Sequence, residues 1–137
     1  VRRVAHSFIT RYKAEQMQIQ THTDNHIQGD ETLHAHVQEA VEHALGRYED
    51  RITRVEVFLA EEHARDKHIG HNDDNDKRCV MEVRLRGLKP ISVRHHSTTV
   101  KDSFEGAAEK MLHLVEKTIG RLEHRHEGVP IDVETIV

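Results

Sequence analysis

The sequence predicts an α+β domain: a two-layer sandwich of order β-α-β-β-β-α, with two helices on one face of a four-stranded mixed sheet. Three observations predict it. Two segments repeat apolar residues every three or four positions, and each has a single apolar face. Four short segments alternate apolar and polar residues with a period of two. One helical segment separates the first two strands, and the other follows the last three. Helices with one greasy stripe need a common surface to bury it. Both are therefore expected on the same side of the sheet, the first in a right-handed crossover between parallel strands one and two. The opposite side is left open.

Residues 1 to 16, VRRVAHSFITRYKAEQ, stand outside this pattern as an N-terminal extension or a remnant of cloning. Val4, Phe8, Ile9 and Tyr12 have helical spacing there, and Met17 would be a natural start. The first strand begins at Met17, with Ile19 and Thr21 alternating against Gln18, Gln20 and His22. The first helix follows through Leu33, Val37, Ala40, Val41, Ala44, Leu45 and Tyr48, with Asp30 or Thr32 placed to cap it. Val55, Val57 and Leu59 define the second strand, opposite in parity to Arg54, Glu56 and Phe58.

Residues 61 to 78, EEHARDKHIGHNDDNDKR, lose apolar periodicity and read as a solvated loop. The next stretch, VMEVRLRGLKPISVRHH, is a hairpin with two unlike sides. Val83, Leu85, Ile91 and Val93 are on the greasy side, and Arg84, Arg86 and Arg94 on the cationic one, with Lys89 in the turn. Val100 to Arg125 is the second helix, striped by Phe104, Ala107, Ala108, Met111, Leu114, Val115, Thr118, Ile119 and Leu122. Gly106 and Gly120 weaken it, and Gly128 with Pro130 is expected to end it. That leaves 127 to 137 as a tail, either loose or an edge strand.

Length and composition suit one small domain with a modest core. The single cysteine, Cys79, shares parity with Met81 and Val83, so it reads as a buried small hydrophobe, and a reducing cytoplasm fits best. No stretch approaches a membrane span. The formal charge is −4, and residues 1 to 16 are net +3, so the remainder stands at −7. An acidic balance argues against indiscriminate nucleic-acid binding, so any RNA site must be a local patch. Fourteen histidines make the total charge depend on pH near neutrality.

With the segments MQIQ, ALGRYEDRITRVEVFL, GLKPISVR and DSFEGAAEKM in this order, residues 17 to 126 resemble the ribosome hibernation-promoting factors. These are also called sigma-54 modulation or ribosome-associated inhibitor proteins. The run Leu45, Arg47, Tyr48, Asp50, Arg51 and Ile52 into Val55, Val57 and Leu59 carries the resemblance, as do Asp102, Phe104 and Ala107. The resemblance implies a non-enzymatic partner of the small ribosomal subunit that blocks the messenger- and transfer-RNA sites by contacting ribosomal RNA. The length leads to the expectation of a short form without a ribosome-pairing domain. Departures are Ala44 and His113 where the family tends to have lysine, and Glu105 and Gly106 in place of small alanines.

On this reading the RNA-binding residues are Arg54, Arg84, Arg86, Lys89 and Arg94 on the sheet, with Lys110, Lys117 and Arg121 on the second helix. Arginine's planar fork suits phosphate and stacks on bases. Two structural alternatives compete with it. The sheet arginines would pair across strands with Glu56 and Glu82 at roughly 0.2 to 1 kcal/mol each, and the helical lysines would form a solvated, salt-bridged face with Glu109, Glu116 and Glu123. Phe58 is the one aromatic residue of exposed parity, which points to backbone contacts rather than base reading.

No metal or cofactor site is expected. His63, His68 and His71 with Asp73, Asp74 and Asp76 match no strong ligand spacing. His34, His36 and His43 fall off the helical stripe and read as solvent-facing. Nothing resembles a nucleophile elbow or a phosphate loop, and His95, His96, Ser97 and Asp102 make a triad only by choice. No small-molecule substrate is implied. The competing function is a degenerate paralogue whose acidic surface binds a protein.

Overall fold

The computed structural model describes residues 17–62 and 75–136, with side chains of the last helix described through His124. The extension 1–16 and the candidate ligands His63, His68, His71, Asp73 and Asp74 lie outside the described residues. The elements are β1 (Gln18–Thr23), α1 (Glu31–Leu45), β2 (Ile52–Glu61), β3 (Lys77–Leu85), β4 (Ile91–Ser97) and α2 (Val100–Ile136), with a 3-10 turn at Gly46–Tyr48. The sheet order is β1-β2-β3-β4, parallel between the first two strands and antiparallel thereafter. The expected sandwich is the observed one. Both helices pack on each other and on one sheet face.

Local chemistry explains the start of each helix. Asp30 caps α1, its carboxylate accepting from Leu33 N at 2.9 Å. Thr99 does the same for α2, accepting from Asp102 N at 3.0 Å. Val37, Val41 and Leu45 then face Phe104, Met111 and Val115 and the inward residues of β2 and β3, all buried. Ile52 and Val55 are both buried despite opposite parity, because the register shifts between Ile52 and Arg54. An extra residue turns the strand over and keeps both apolar chains inside. Cys79 is fully buried, and burial pushes its thiol up to about 12, as expected of a packing residue.

The second helix corrects its expected end. Its backbone stays helical through Gly128 and Pro130 to Ile136, so the last stretch is neither loose nor a strand. Glycine and proline penalise propagation by about 1 and 3 kcal/mol. A helix already nucleated over many turns extends without a new nucleation cost. The strands also reach further into the charged stretch than expected, because Glu61 pairs with Lys77 and Ala60 with Arg78. Lys77 Nζ lies 2.8 Å from Asp76 and 3.4 Å from Glu61. The Asp76 hydrogen bond raises its pKa, burial opposes this, and the charges of Asp76 and Glu61 add to the rise. Asp24 ties the neighbouring strand ends, accepting from Glu61 N at 2.9 Å and His26 N at 3.0 Å. Burial acts to raise that carboxyl, but these donors, with Ile27 N and the His26 charge, hold it below the usual range.

Candidate nucleic-acid interface

The face of the sheet away from the helices is built in rows set by strand register. Gln18, Arg54 and Arg84 form one row, and Gln20, Glu56, Glu82 and Ser92 the next. His22, Phe58, Val80 and Arg94 form the third, followed by Ala60, Arg78 and His96. The cross-strand ion pairs expected for the arginines are therefore not what the register provides. Arg54 stands opposite Arg84 and Glu56 opposite Glu82, like charge against like, an arrangement that costs stability in a sheet.

Arg54 pairs along its own strand instead. Glu56 takes Arg54 Nε at 3.2 Å on one oxygen and His22 Nε2 at 3.2 Å on the other. Arg84 and Arg94 are exposed and make no ion pair among the described residues, and neither does Glu82. Arg86 is engaged by structure. Its Nε donates to the Asp50 carbonyl at 2.9 Å and its amide to the Arg51 carbonyl at 2.9 Å, fastening the β3–β4 turn to the turn before β2. Gly87 (φ 73°) supplies the left-handed position of that turn, and Lys89 projects from it, exposed.

The helical candidates lie on the other layer, beside β4. Lys110 Nζ donates to the Arg94 carbonyl at 2.9 Å, so it anchors the helix to the edge strand. Lys117 and Arg121 follow at spacings of seven and four on the same side of α2, both exposed and without an ion pair among the described residues. A salt-bridged face within the helix was the competing expectation. The acids mostly turn the other way: Glu116 lies 3.9 Å from Arg47 and Glu123 2.8 Å from Arg51. Arg51 also receives the Arg86 amide, so the far end of the described α2 lies near the β3–β4 turn. Arg54, Arg84, Arg86, Lys89 and Arg121 thus gather toward one end of the domain.

Three residues escaped the sequence reading. Arg78 stands on the open face and pairs with Glu62, which also takes His96 Nε2 at 3.1 Å. Assigning residue 78 to a loop hid its parity, which matches Val80, Glu82 and Arg84. His22 stacks on Phe58 with ring centroids 4.7 Å apart and planes at 15°, an arrangement visible only once β1 is known to pair in parallel with β2. His34 is half-buried rather than solvent-facing, its Nδ1 2.9 Å from Thr21 Oγ1, because the helix start leans over β1. His36 and His43 are exposed as expected. Behind the sheet, the His95 ring lies against Gly106. Its pKa is lowered by burial first, then by the charges of Lys110 and His96, with Asp102 opposing.

Among the described residues no group of three or more histidine, cysteine or acidic side chains is placed to hold a metal, and no helix is long and apolar enough to cross a membrane. A four-stranded sheet backed by two helices on one face, with a polar free face that mixes arginines and acids, defines an α+β two-layer domain. The family model for the sigma 54 modulation protein / S30EA ribosomal protein matches residues 19–134, and the chain belongs to that ribosome-associated family. Two solved structures share the fold. The Thermus thermophilus Protein Y N-terminal domain matches with a TM-score of 0.57 at 15% identity, over 74% of this chain and 99% of its own. A ribosomal subunit interface protein from Coxiella burnetii matches with a TM-score of 0.50 at 16% identity, over 76% of this chain and 97% of its own. No curated protein matches this chain by sequence.

Proposed function

We propose that this protein is a cytoplasmic, non-enzymatic ribosome hibernation factor. It binds the small ribosomal subunit through ribosomal RNA at the messenger- and transfer-RNA sites and so holds translation off. Family membership supports the ribosome as partner. The observation that supports the RNA contact is the row in which Arg54 and Arg84 stand opposite each other, Arg54 held by Glu56 of the next row and Arg84 without an ion pair among the described residues. A fold selected for stability alone gains from alternating charges across strands. An anion placed between the two guanidiniums relieves the repulsion, and phosphate fits their planar donors. Arg94, Lys89, Lys117 and Arg121 extend the cationic surface around the β4 side. No cofactor or small-molecule substrate is required for such a role.

Cosedimentation of the purified protein with small ribosomal subunits across a salt series tests the reading. Arg84→Gln and Arg94→Gln should each weaken binding and flatten the log-affinity against log-salt slope by roughly 0.7 to 1 for every phosphate left without its cation. Arg54→Gln should do less, since Glu56 already holds that guanidinium, and Glu82→Gln should strengthen binding by removing an acid from the row beside Arg84. Absence of cosedimentation at low salt would refute ribosome binding and leave the protein-partner alternative.

A further inference from the structure

The third row of the open face carries aromatic rings where the neighbouring rows carry charge. His22 and Phe58 stand on adjacent parallel strands as a stacked pair, and Glu56 holds the His22 ring through Nε2 at 3.2 Å. Phe58 is 36% exposed and the His22 side chain 45%. On its far side Phe58 stands opposite Val80 of β3 in the strand register. On the β1 side the stack is open. That strand is the sheet edge, and His22 lines a groove of about 440 Å³ along it with Gln20, Thr21, Asp30 and His34.

A ring pair that has Val80 in register on one side, is oriented by a carboxylate and is open on the other offers a surface for one more planar ring. The groove beside it supplies amide, hydroxyl and imidazole groups and the Asp30 carboxylate, one oxygen of which already caps α1, and an edge strand leaves outward backbone donors and acceptors. The chemistry matches a nucleobase, which needs a flat apolar face and hydrogen bonds at its rim. Two arginines without an ion pair among the described residues, Arg84 two rows away and Arg94 at the end of the same row, add attraction for a charged backbone.

We propose that His22, stacked on Phe58, is a platform for an unpaired base of an RNA strand seated in the groove along β1. This rests on the RNA-binding reading and adds to it a base contact that the arginines alone do not make.

A short single-stranded RNA carrying one 2-aminopurine reports the stacking, which quenches its fluorescence. The wild-type protein should quench it, and Phe58→Tyr should retain the effect. Phe58→Leu and His22→Gln should each weaken affinity roughly 5- to 150-fold, the range for removal of one base stack, while the salt slope and the far-UV circular dichroism stay unchanged. Arg84→Gln should do the opposite, flattening the slope while leaving quenching at saturation intact. Free AMP should compete at least tenfold more weakly than the oligonucleotide, and equal competition would overturn the assignment to a strand. Binding of the oligonucleotide without quenching, or a Phe58→Leu protein that behaves as wild type, would overturn the platform and leave ribosome cosedimentation untouched. Failure of the wild-type protein to bind either the oligonucleotide or the ribosome would overturn both readings together.

Discussion

Replacing Gly106 by alanine tests the packing of α2 on β4 by the sign of a coupling. A Cβ at 106 would lie 2.3 Å from both Cδ2 and Nε2 of His95 and 3.0 Å from Cε1, so the half-buried ring has to move. Forcing an extra methyl into a packed site costs about 1 to 3 kcal/mol. Exchanging glycine for alanine inside a helix returns about 1 kcal/mol. The net for Gly106→Ala is a loss of about 0 to 2 kcal/mol, small on its own. In a His95→Ala background the methyl meets no ring, and the same substitution should stabilise by about 1 kcal/mol from propensity alone. The coupling between the two sites should thus be about 1 to 3 kcal/mol, measurable in a double-mutant cycle. Urea unfolding followed by far-UV ellipticity suits a chain that has no tryptophan. Stabilisation of similar size in both backgrounds would refute the close approach and show that the His95 ring yields without cost.

Three further outcomes follow from burial and titration. Leu45→Ala should lose about 2 to 5 kcal/mol because Leu45 is fully buried, whereas exposed His36→Ala should stay within about 0.5 kcal/mol by the same unfolding assay. Cys79, buried and with its thiol pushed up to about 12, should react with a thiol reagent at pH 8 only as the protein opens. A native rate equal to that in denaturant would refute this. His95 resists protonation in the fold, so just below its ordinary value of 6.5 the unfolded chain binds more protons than the native one. Its contribution is full above that pH and falls as pH drops toward the lowered native value. His95→Gln should flatten that part of a stability-pH profile, and an unchanged profile would place its source elsewhere.

The fold was legible because its signals are local and repeated. The period of α1, the parity of β2 and β3 and the cap at Asp30 each point to one arrangement, and Cys79 is buried where parity puts it. Two boundaries were not legible. Helix α2 passes Gly128 and Pro130 because continuation is judged by the helix already formed, which no five-residue window contains. The ends of β2 and β3 extend through Glu61 and Lys77 because opposite charges face each other there, a match that only register reveals. The placement of the candidate arginines was legible in side but not in pairing. Arg54, Arg84 and Arg94 do lie on the open face, but alternation along a strand cannot say that Arg54 faces Arg84, that Arg86 is tied to Asp50, or that His22 lies on Phe58.

An acidic chain can present a cationic surface because α2 divides its charges by direction. Phe104, Met111 and Val115 point into the core, and about 100° per residue carries Glu116 and Glu123 to one flank and Lys110, Lys117 and Arg121 to the other. On the first flank the acids lie against Arg47 and Arg51, consuming cations that border α1. On the second, beside β4, Lys117 and Arg121 make no ion pair among the described residues, and on the sheet neither do Arg84 and Arg94, although Glu82 lies in the row between them. Net charge sums all of these, but a ligand does not feel the sum. At physiological ionic strength the screening length is about 8 Å. Acids on the helix layer, separated by more than that length from the open face, are largely screened from a phosphate resting there. On the proposed RNA-binding role, selectivity would follow from the same arrangement. Only a partner whose anions match the positions of Arg84, Arg94, Lys117 and Arg121 gains the attraction, and one that spreads over the whole surface meets the remaining acids.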